Sequence, residues 1–405
     1  MEDKPLQELK IADFSYIIAG PIISQTLAYY GAHVVSVENP YAMTLHTYLP
    51  FAGGIPGPNR SAAYLHLNSS KNSIMLNLQN PGGVNVAKRL VNWADIVIEQ
   101  FTPGVMERIG LNYDELKKIK PDIIMMSISG QGQTGPYATL PSFGNYIVAL
   151  SGLYSITRYE QDGVPQGPWF PYLDYVCGFY GVSVVLAALD YRRRTGKGQH
   201  IDLSMLEVSS HLMSPFILDY TANNQESLSS WCGNHLDRAV PHDIYRCKDE
   251  DSWCAIGIFN DDEWQTFCEV IGNPDWCLSP EYATFLGRKQ NEDKLNKLVE
   301  SFTLSYTAEE IMAMLQKAGI KAGVVQDVKG LYEDRHLWER GFLKMQPHTE
   351  AGDWAWAASP FSLSEFSEEP RQTLIGQDTE YVCTELLGIP DDEFTQLMND
   401  GTFNK

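Results

Sequence analysis

Short apolar segments alternate with helical segments through the first third of this 405-residue chain. Strands are predicted at residues 10–15, 33–38, 73–78, 95–99 and 122–129, and helices between them at residues 21–30, 81–93 and 103–109. Neighbouring parallel strands need a long crossover connection, which is usually a helix. The alternation therefore predicts an α/β fold with a parallel sheet covered on both faces.

The most apolar stretch follows at residues 175–189, where Ser183 is the only side chain that is neither apolar nor glycine. A helix over residues 172–194 would be buried almost all round. Pro171 suits its start, and Asp174 would lie in the first turn, where free N–H groups stabilise a negative charge. This local pattern by itself favours an acid that only begins the helix, so a functional role for Asp174 needs further evidence.

Later segments predict a second region. A strand at residues 199–203 and a helix at 205–220 precede a polar linker at residues 221–230. Strands at 253–259 and 322–326 then accompany helices at 261–271 and 291–302 and a capping box at Thr307 and Glu310. We predict a large Rossmann-like domain at residues 1–220, a smaller α+β domain at 231–328, and a return to the large domain over 329–405, with helices at 378–387 and 392–399.

A GxGxxG pattern at Gly130, Gly132 and Gly135 follows the strand at 122–129. A dinucleotide site requires a helix directly after such a pattern, and Pro136 and Pro141 follow instead. We therefore interpret the glycines as a loop that brings backbone close to other groups, and predict no nicotinamide site.

The formal net charge of −21 disfavours nucleic acids and anionic membranes as partners. No 18 consecutive residues are apolar, and residues 1–5 lack the pattern of a signal peptide, so a cytoplasmic protein without a membrane span is expected. Scattered cysteines without a CxxC motif suit reduced thiols. The spacings of Cys232, His235, His242 and Cys247 fit no common zinc finger, so no metal is predicted.

Several motifs together resemble the class III CoA-transferases, the family of formyl-CoA and carnitine CoA-transferases. The segment LDYVCGFY at residues 173–180 is the most specific, and it is supported by AGP at 19–21, EQFTPG at 99–104, SGQGQTGP at 129–136, TGKGQ at 195–199 and IDLSMLE at 201–207. The resemblance extends along nearly the whole chain. It implies two interlocked chains, as a homodimer or as a heteromer with a related subunit.

The resemblance also implies that Asp174 attacks an acyl-CoA thioester and passes through a mixed anhydride and an aspartyl-CoA thioester. CoA and acyl-CoA are then substrates, and no permanently bound cofactor is expected. Positions that the resemblance assigns to CoA contacts are Ile18, Ala19, Asn39, Leu76, Asn77, Gln100, Phe101, Thr102, Arg108, Phe143 and Gly144.

This chain departs from many relatives at two of these positions. Asn39 stands where a basic residue often contacts a CoA phosphate, and Gln100 stands where asparagine is usual. Phosphate binding is therefore expected to depend on Arg108, with Arg60 or Lys71 as further candidates.

Aromatic residues around Asp174 are candidates for an acyl pocket, although core packing explains them as well. They include Tyr146 and Tyr172, with Phe143, Trp169, Phe170 and Tyr175. In a loop that resembles those of relatives acting on larger acids, Asp237 and Arg238 are candidates for binding the acceptor; Arg238 suits a second carboxylate, although a solvated surface arginine explains it too.

The expected reaction moves CoA from a donor such as succinyl-CoA to a small carboxylic acid, with benzylsuccinate or a similar hydrophobic dicarboxylate as the suggested acceptor. One alternative is a non-catalytic subunit of a heteromeric CoA-transferase, for example a benzylsuccinate CoA-transferase. Another is an acyl-CoA racemase, which uses a histidine base. No histidine occurs between His66 and His200, so the racemase is the weaker alternative.

Overall fold

A computed structural model describes residues 4–41, 45–157, 164–168, 170–223, 233–367 and 370–404. The chain divides into two compact units. The first unit contains Met1–Gly152, Pro168–Ser214 and Arg335–Lys405, and the second contains Leu153–Gly167 and Pro215–Asp334. Most of the predicted linker, from residue 224 onward, lies outside the described residues.

The elements are numbered in chain order. The strands are β1 (Lys10–Asp13), β2 (His33–Glu38), β3 (Asn72–Met75), β4 (Ile96–Glu99), β5 (Ile124–Ser129), β6 (His200–Ser204), β7 (His242–Arg246), β8 (Trp253–Gly257), β9 (Lys321–Val324), β10 (Leu343–Gln346) and β11 (Trp354–Ala357). The α-helices are α1 (Ala19–Tyr29), α2 (Ala62–Asn68), α3 (Pro81–Trp93), α4 (Val105–Arg108), α5 (Tyr113–Ile119), α6 (Gly144–Leu150), α7 (Leu153–Ile156), α8 (Tyr172–Thr195), α9 (Met205–Leu212), α10 (Ser214–Asn223), α11 (Asp261–Val270), α12 (Phe285–Gln290), α13 (Glu292–Thr303), α14 (Ala308–Lys317), α15 (Val328–Glu333), α16 (Arg335–Glu339), α17 (Thr379–Tyr381) and α18 (Asp391–Asn399). Short 3₁₀ turns lie at Leu45–Thr47, Ala52–Gly54, Pro58–Arg60 and Pro280–Tyr282, and a π-helical turn lies at Val382–Leu386.

The first unit is built on a parallel sheet, which confirms the α/β prediction. Its strands follow the order β3-β2-β1-β4-β5-β6 in the described residues. Every residue of β5 is buried, as expected for a strand covered on both faces. The strand order reverses between β1 and β4, and parallel sheets of this kind bind ligands outside the carboxyl ends of their strands at such a point.

Two glycines let α8 pack closely against α1. A Cβ atom on Gly178 would lie 2.6 Å from Cγ2 of Ile22, and one on Gly181 would lie 2.3 Å from Cδ1 of Ile23. Neither position has room for a side chain. Because α1 and α8 begin at the same cavity described below, this contact also sets the distance between two of its walls.

Replacing Gly178 by valine is expected to lower the free energy of unfolding by about 3 kcal/mol, because the new side chain overlaps Ile22. Ser183→Ala is the matched control, since Ser183 is exposed on the same helix. That control should change stability by less than about 0.5 kcal/mol. Urea unfolding at fixed protein concentration measures both. Equal stability of the two variants would contradict the packing described here.

The expectation that α8 is buried all round is wrong for this chain. Its bounds match the predicted helix, but Phe179, Tyr180, Val184 and Leu186 are each between 37% and 41% exposed. Within the described residues this face is only partly covered, since Phe179 lies edge-on to Phe361 and Tyr180 lies edge-on to His211. By length and composition α8 is also apolar enough to cross a membrane, a property that core helices share.

The second unit contains an antiparallel sheet, β7-β8-β9, with helices packed on it, which agrees with the predicted α+β class. Arg288 is fully buried in its core. The guanidinium donates to the carbonyl oxygens of Val240 and Tyr282 and to Asp261, and it lies 5.1 Å from the ring centroid of Trp264. These partners compensate the cost of burying the charge.

Some predicted elements differ from the structure. The predicted helix at 205–220 is two helices, because the chain leaves helical geometry at Met213 (φ −85, ψ 1) and Pro215, which has no N–H, lies in the first turn of α10. Strand β7 and the β10–β11 hairpin were not predicted, because polar residues interrupt β7 and the hairpin lies in a mixed segment. The capping box at Thr307 and Glu310 is confirmed.

Candidate active site

A cavity of about 560 Å³ lies where β1, β4 and β5 end. All of its lining residues belong to the first unit. They include Tyr16, Ile17 and Ile18 after β1, Gln100, Phe101, Thr102 and Pro103 after β4, Ser129 and Gly130 at the end of β5, Phe143 and Gly144 at the start of α6, and Phe170, Pro171, Asp174 and Tyr175 at the start of α8. The cavity therefore lies at the reversal point of the sheet, where such folds bind their ligands.

Asp174 lines this cavity from the first turn of α8 and is only 5% exposed. Its backbone N–H donates to the carbonyl oxygen of Pro171 over 3.1 Å. The position in the first turn is the one that the sequence predicts. The carboxyl group is thus sheltered from bulk solvent and open to the cavity.

Burial raises the pKa of Asp174 to about 7, and its own backbone N–H lowers that pKa by less. The start of a helix favours the charged form of the carboxyl group, but burial outweighs that effect here. Both the charged and the protonated form of Asp174 are therefore accessible near neutral pH. The same carboxyl group adds to burial in raising the pKa of Tyr175 and in raising that of Cys177 to about 12.

Gly144 lies directly against the carboxyl group of Asp174. A Cβ atom on Gly144 would lie 2.6 Å from Oδ2 of Asp174, which is closer than carbon and oxygen approach without a bond. Phe143 precedes it, with about half of its surface exposed, and also lines the cavity. A residue without a side chain at position 144 is therefore what leaves space for the carboxyl group.

Gln100 joins two walls of the cavity. Its Oε1 accepts a hydrogen bond of 3.1 Å from the backbone N–H of Gly20 in α1. A Cβ atom on Gly20 would meet Cβ of Ser15 at 2.3 Å, so the first turn of α1 requires glycine there to pack against the loop after β1. Ile18 lines the cavity just before α1, and Ala19 is fully buried. The departure at Gln100 thus leaves its side chain with a definite partner.

Phe101 and Thr102 continue the same wall, and the ring of Phe101 stacks on Tyr16 with centroids 5.5 Å apart. This pair gives the cavity a flat apolar face. Stacked aromatic side chains have little freedom to move, so the wall is largely preformed.

The three cationic candidates for phosphate binding differ in burial and in their partners. Lys71 is fully buried and its Nζ lies 3.2 Å from Oδ2 of Asp13, so its proposed contact with a phosphate is wrong. Arg60 donates to the carbonyl oxygens of Ala52 and Ile55. Arg108 is exposed at the end of α4 and does not line the cavity. Of these three predicted cations, Arg108 is the most exposed.

Ser129 was not selected from the sequence, yet it lines the cavity at the end of β5. Its Oγ is buried without a hydrogen-bond partner in the part of the chain that the structure describes. Leaving a buried hydroxyl unpaired costs about 1–3 kcal/mol, which an acceptor on a ligand would recover. The available signal was its place between a buried strand and a glycine loop.

The glycine loop itself has the predicted role. A Cβ atom on Gly130 would lie 2.0 Å from Oγ of Ser142, so glycine allows the backbone of the loop to approach the side chain of Ser142. Gly132 and Gly135 have φ angles of +87 and +95. No helix follows directly, since α6 begins only at Gly144, which agrees with the absence of a nicotinamide fingerprint.

Several predicted site residues do not line the cavity. Asn39 follows β2, and its Oδ1 accepts the N–H of Tyr41 over 3.0 Å. Leu76 is fully buried after β3, and the side chain of Asn77 donates to the carbonyl oxygen of Asn404 over 3.2 Å. The side chains of these three residues therefore pack in the first unit or form hydrogen bonds with its backbone.

The aromatic candidates separate into two groups. Phe170 and Tyr175 line the cavity, with ring centroids 5.5 Å apart. Tyr146 and Tyr172 are 68% and 39% exposed and do not line it. Trp169 lies outside the described residues.

Asp237 and Arg238 belong to the second unit. Both are exposed, in a turn bridged by Leu236 and Ala239. No three His, Cys, Asp or Glu side chains form a group that suits a metal ion in the described ranges.

Known proteins resemble this chain over most of its length. A succinate–glutarate CoA-transferase of Agrobacterium fabrum is 31% identical over 86% of this chain and 86% of its own length. A human succinyl-CoA:glutarate CoA-transferase is 28% identical over 99% of this chain and 90% of its own. A crystal structure of a CAIB/BAIF family protein from Brucella suis has a TM-score of 0.86 at 28% identity, covering 95% of this chain and 100% of that one.

The sequence model described as CoA-transferase family III matches residues 6–379, which includes every element around the cavity. Its extent and the relatives above agree with the resemblance seen in the motifs. The chain therefore belongs to CoA-transferase family III, whose members move CoA between acyl-CoA thioesters and carboxylic acids.

Proposed function

We propose that the cavity binds the reacting end of an acyl-CoA and that Asp174 is the nucleophile. One observation carries this proposal: a buried carboxyl group that opens into a cavity at the reversal point of the sheet. Such a group is held in one place and shielded from water that would hydrolyse an anhydride.

The steps balance without an external acid or base. The Asp174 carboxylate attacks the thioester carbonyl carbon and expels the CoA thiolate. The product is a mixed anhydride between Asp174 and the acyl group of the donor. The thiolate then attacks the aspartyl carbonyl, which releases the donor carboxylate and leaves an aspartyl-CoA thioester. The acceptor carboxylate repeats both steps in reverse, and Asp174 returns as a carboxylate. Because only its charged form attacks, kcat/KM should rise as the pH passes through about 7.

Other residues of the cavity have supporting roles in this proposal. The hydroxyl of Ser129 donates to an acyl or carboxylate oxygen, which gives its unpaired Oγ a partner. Gln100, Phe101 and Thr102 form the wall along the pantetheine chain. Arg108, outside the cavity, pairs with a phosphate of CoA.

Succinyl-CoA is the proposed donor, since relatives named for succinyl-CoA act with glutarate or D-citramalate. The proposed acceptor is a dicarboxylic acid, and the aromatic lining of Tyr48, Phe101, Phe170 and Tyr175 supports a hydrophobic one such as benzylsuccinate. Comparing kcat/KM for glutarate, citramalate and benzylsuccinate with succinyl-CoA decides between small and aromatic acceptors.

The chain is proposed to act as a dimer of interlocked chains in the cytoplasm. Support comes from the apolar residues that α8 leaves exposed. One relative is named as the β subunit of a succinyl-CoA–L-malate CoA-transferase, so a partner of a related sequence is the alternative. The racemase alternative is disfavoured, because no histidine lines the cavity within the described residues.

Trapping the intermediate tests the nucleophile. The purified chain with succinyl-CoA and hydroxylamine should form a hydroxamate on Asp174, which mass spectrometry of the peptide around α8 detects. Asp174→Asn is the control and should form none. Succinyl-CoA turnover without any modified Asp174 would refute the mechanism, and a chain that neither turns over nor is modified would be a non-catalytic subunit.

A further inference from the structure

A second buried carboxyl group, which the mechanism does not use, lies behind the cavity wall. Glu99 ends β4 and is only 2% exposed. Its Oε2 accepts the backbone N–H of Phe101 over 2.8 Å. Ser127 is the register partner of Glu99 in β5, and hydrogen bonding by its hydroxyl lowers the pKa of Glu99. Glu99 thus holds the first residues of the loop that lines the cavity.

A hydrogen-bonded chain leads from Glu99 to the edge of the sheet. Oγ of Ser127 lies 2.9 Å from Nε2 of His200, the first residue of the edge strand β6. The imidazole ring stacks on Tyr113 with centroids 5.2 Å apart and an interplanar angle of 16°. His200 is exposed within the first unit, so this chain connects a buried acid to solvent.

We propose that Glu99 is a positioning residue for the cavity wall at Gln100, Phe101 and Thr102, and that Ser127 and His200 link its protonation to solvent. The inference rests on the proposed binding of CoA in this cavity. Glu99 does not touch the reacting atoms in this account; it acts through the loop.

The direction of the hydrogen bonds explains how the wall responds. When Glu99 is charged, Phe101 N–H and Ser127 Oγ–H both donate to it, and His200 Nε2–H donates to Ser127. A charged acceptor makes a bond roughly twice as strong as a neutral one. When Glu99 is protonated, its own O–H can donate to Ser127, which then donates to His200, and the bond to Phe101 weakens. Gln100 passes the change to the opposite wall, because its side chain holds Gly20 N–H.

The groups around Glu99, Ser127 and His200 place the protonation of Glu99 near neutral pH. Burial raises the pKa of Glu99 to about 7, the bonds from Ser127 and Phe101 lower it, and Asp202 raises it. Tyr16 faces Glu99 and has a raised pKa, first from burial and then from Glu99.

His200 is surrounded in turn by Ser127, Tyr113, Asp114 and Asp202. The ring is exposed at one edge and packed against Tyr113 and Ser127 elsewhere; this partial burial lowers the pKa of His200 below its ordinary value, and the two aspartates raise it by less. A neutral imidazole can either donate or accept at Nε2, which is what the reversal of the hydrogen bonds requires.

Calorimetric titration of CoA at pH 6 and pH 8 tests the proposal. Asp174→Asn serves as the background, because it removes the other carboxyl group that titrates in this range. In that background CoA should bind more tightly at pH 8 than at pH 6. Adding Glu99→Gln should reduce the ratio of the two dissociation constants by about tenfold. The phosphate of CoA titrates too, but it affects both proteins equally.

Two further variants complete the experiment. Glu393→Gln, on an exposed carboxylate paired with Arg89, is the matched control and should leave the pH dependence unchanged. Ser127→Ala removes a bond that lowers the pKa of Glu99, so it should move the transition to higher pH. It remains informative if Glu99→Gln fails to fold.

The outcomes separate this proposal from the proposed function. An identical pH dependence with and without Glu99→Gln, in folded protein, overturns the role of Glu99 while CoA binding stands. A folded Asp174→Asn protein that binds no CoA at either pH overturns both.

Discussion

Replacing Asp174 by asparagine is expected to lower kcat by a factor on the order of 10⁴ or more, with acyl-CoA binding changed only a few fold. Asparagine has nearly the same shape but cannot form the anhydride, and removing a nucleophile costs this much where the remaining site still binds. Steady-state kinetics with succinyl-CoA and an acid acceptor measure the loss. Turnover within tenfold of the original would exclude Asp174 as the nucleophile.

The same variant should be more stable than the original protein at pH 8 and not at pH 3. The folded state raises the pKa of Asp174 from 3.8 to about 7, so the unfolded chain binds fewer protons between these values and stability falls as the pH rises. Asparagine removes that cost, which is on the order of a few kcal/mol above pH 7. Thermal unfolding at both pH values checks it. Lost activity with gained stability would show that Asp174 is retained for chemistry.

Replacing Gly144 by alanine is expected to lower kcat by about 10²-fold, because the added methyl group would lie 2.6 Å from Oδ2 of Asp174 and must displace it. A displacement of about 1 Å at a reacting group costs this much. The KM for acyl-CoA should change less than kcat, since the loop after β4 does not touch the new atom. Single-turnover kinetics separate the chemical step from binding.

Gly323→Ala provides the matched control for Gly144. A Cβ atom there meets nothing within 4 Å and the φ angle is not positive, so activity and stability should be retained. An unchanged kcat in folded Gly144→Ala would mean that Asp174 has space to move, and that its position in this structure is not the reactive one.

The elements that define the site could be predicted because their signals are local. The strands at whose ends the cavity opens coincide with short runs of apolar residues. Helix α8 coincides with an apolar run of helical length, and Pro171 precedes it. Half-polar β7 and the division between α9 and α10 carried weaker signals and were missed. A pattern of apolar and polar residues depends on neighbours within one or two helical turns. Contacts between residues far apart in the sequence do not produce such a pattern.

The long-range contacts of the site could not be read in this way. Gly144 and Asp174 are far apart in the sequence, and only the packing of α6 beside α8 brings them together. The link from Gln100 to Gly20 and the unpaired hydroxyl of Ser129 likewise depend on how separate loops meet. Lys71 appeared as a free cation in the sequence, and the fold buries it against Asp13.

The sequence by itself determined that the sheet is parallel, that Asp174 occupies the first turn of an apolar helix, and that the chain resembles class III CoA-transferases. Tertiary structure alone decided the pKa of that carboxyl group. A helix start favours the anion through nearby N–H groups, whereas burial favours the acid through loss of water, and only the packed structure shows that burial has the larger effect, with a pKa of about 7.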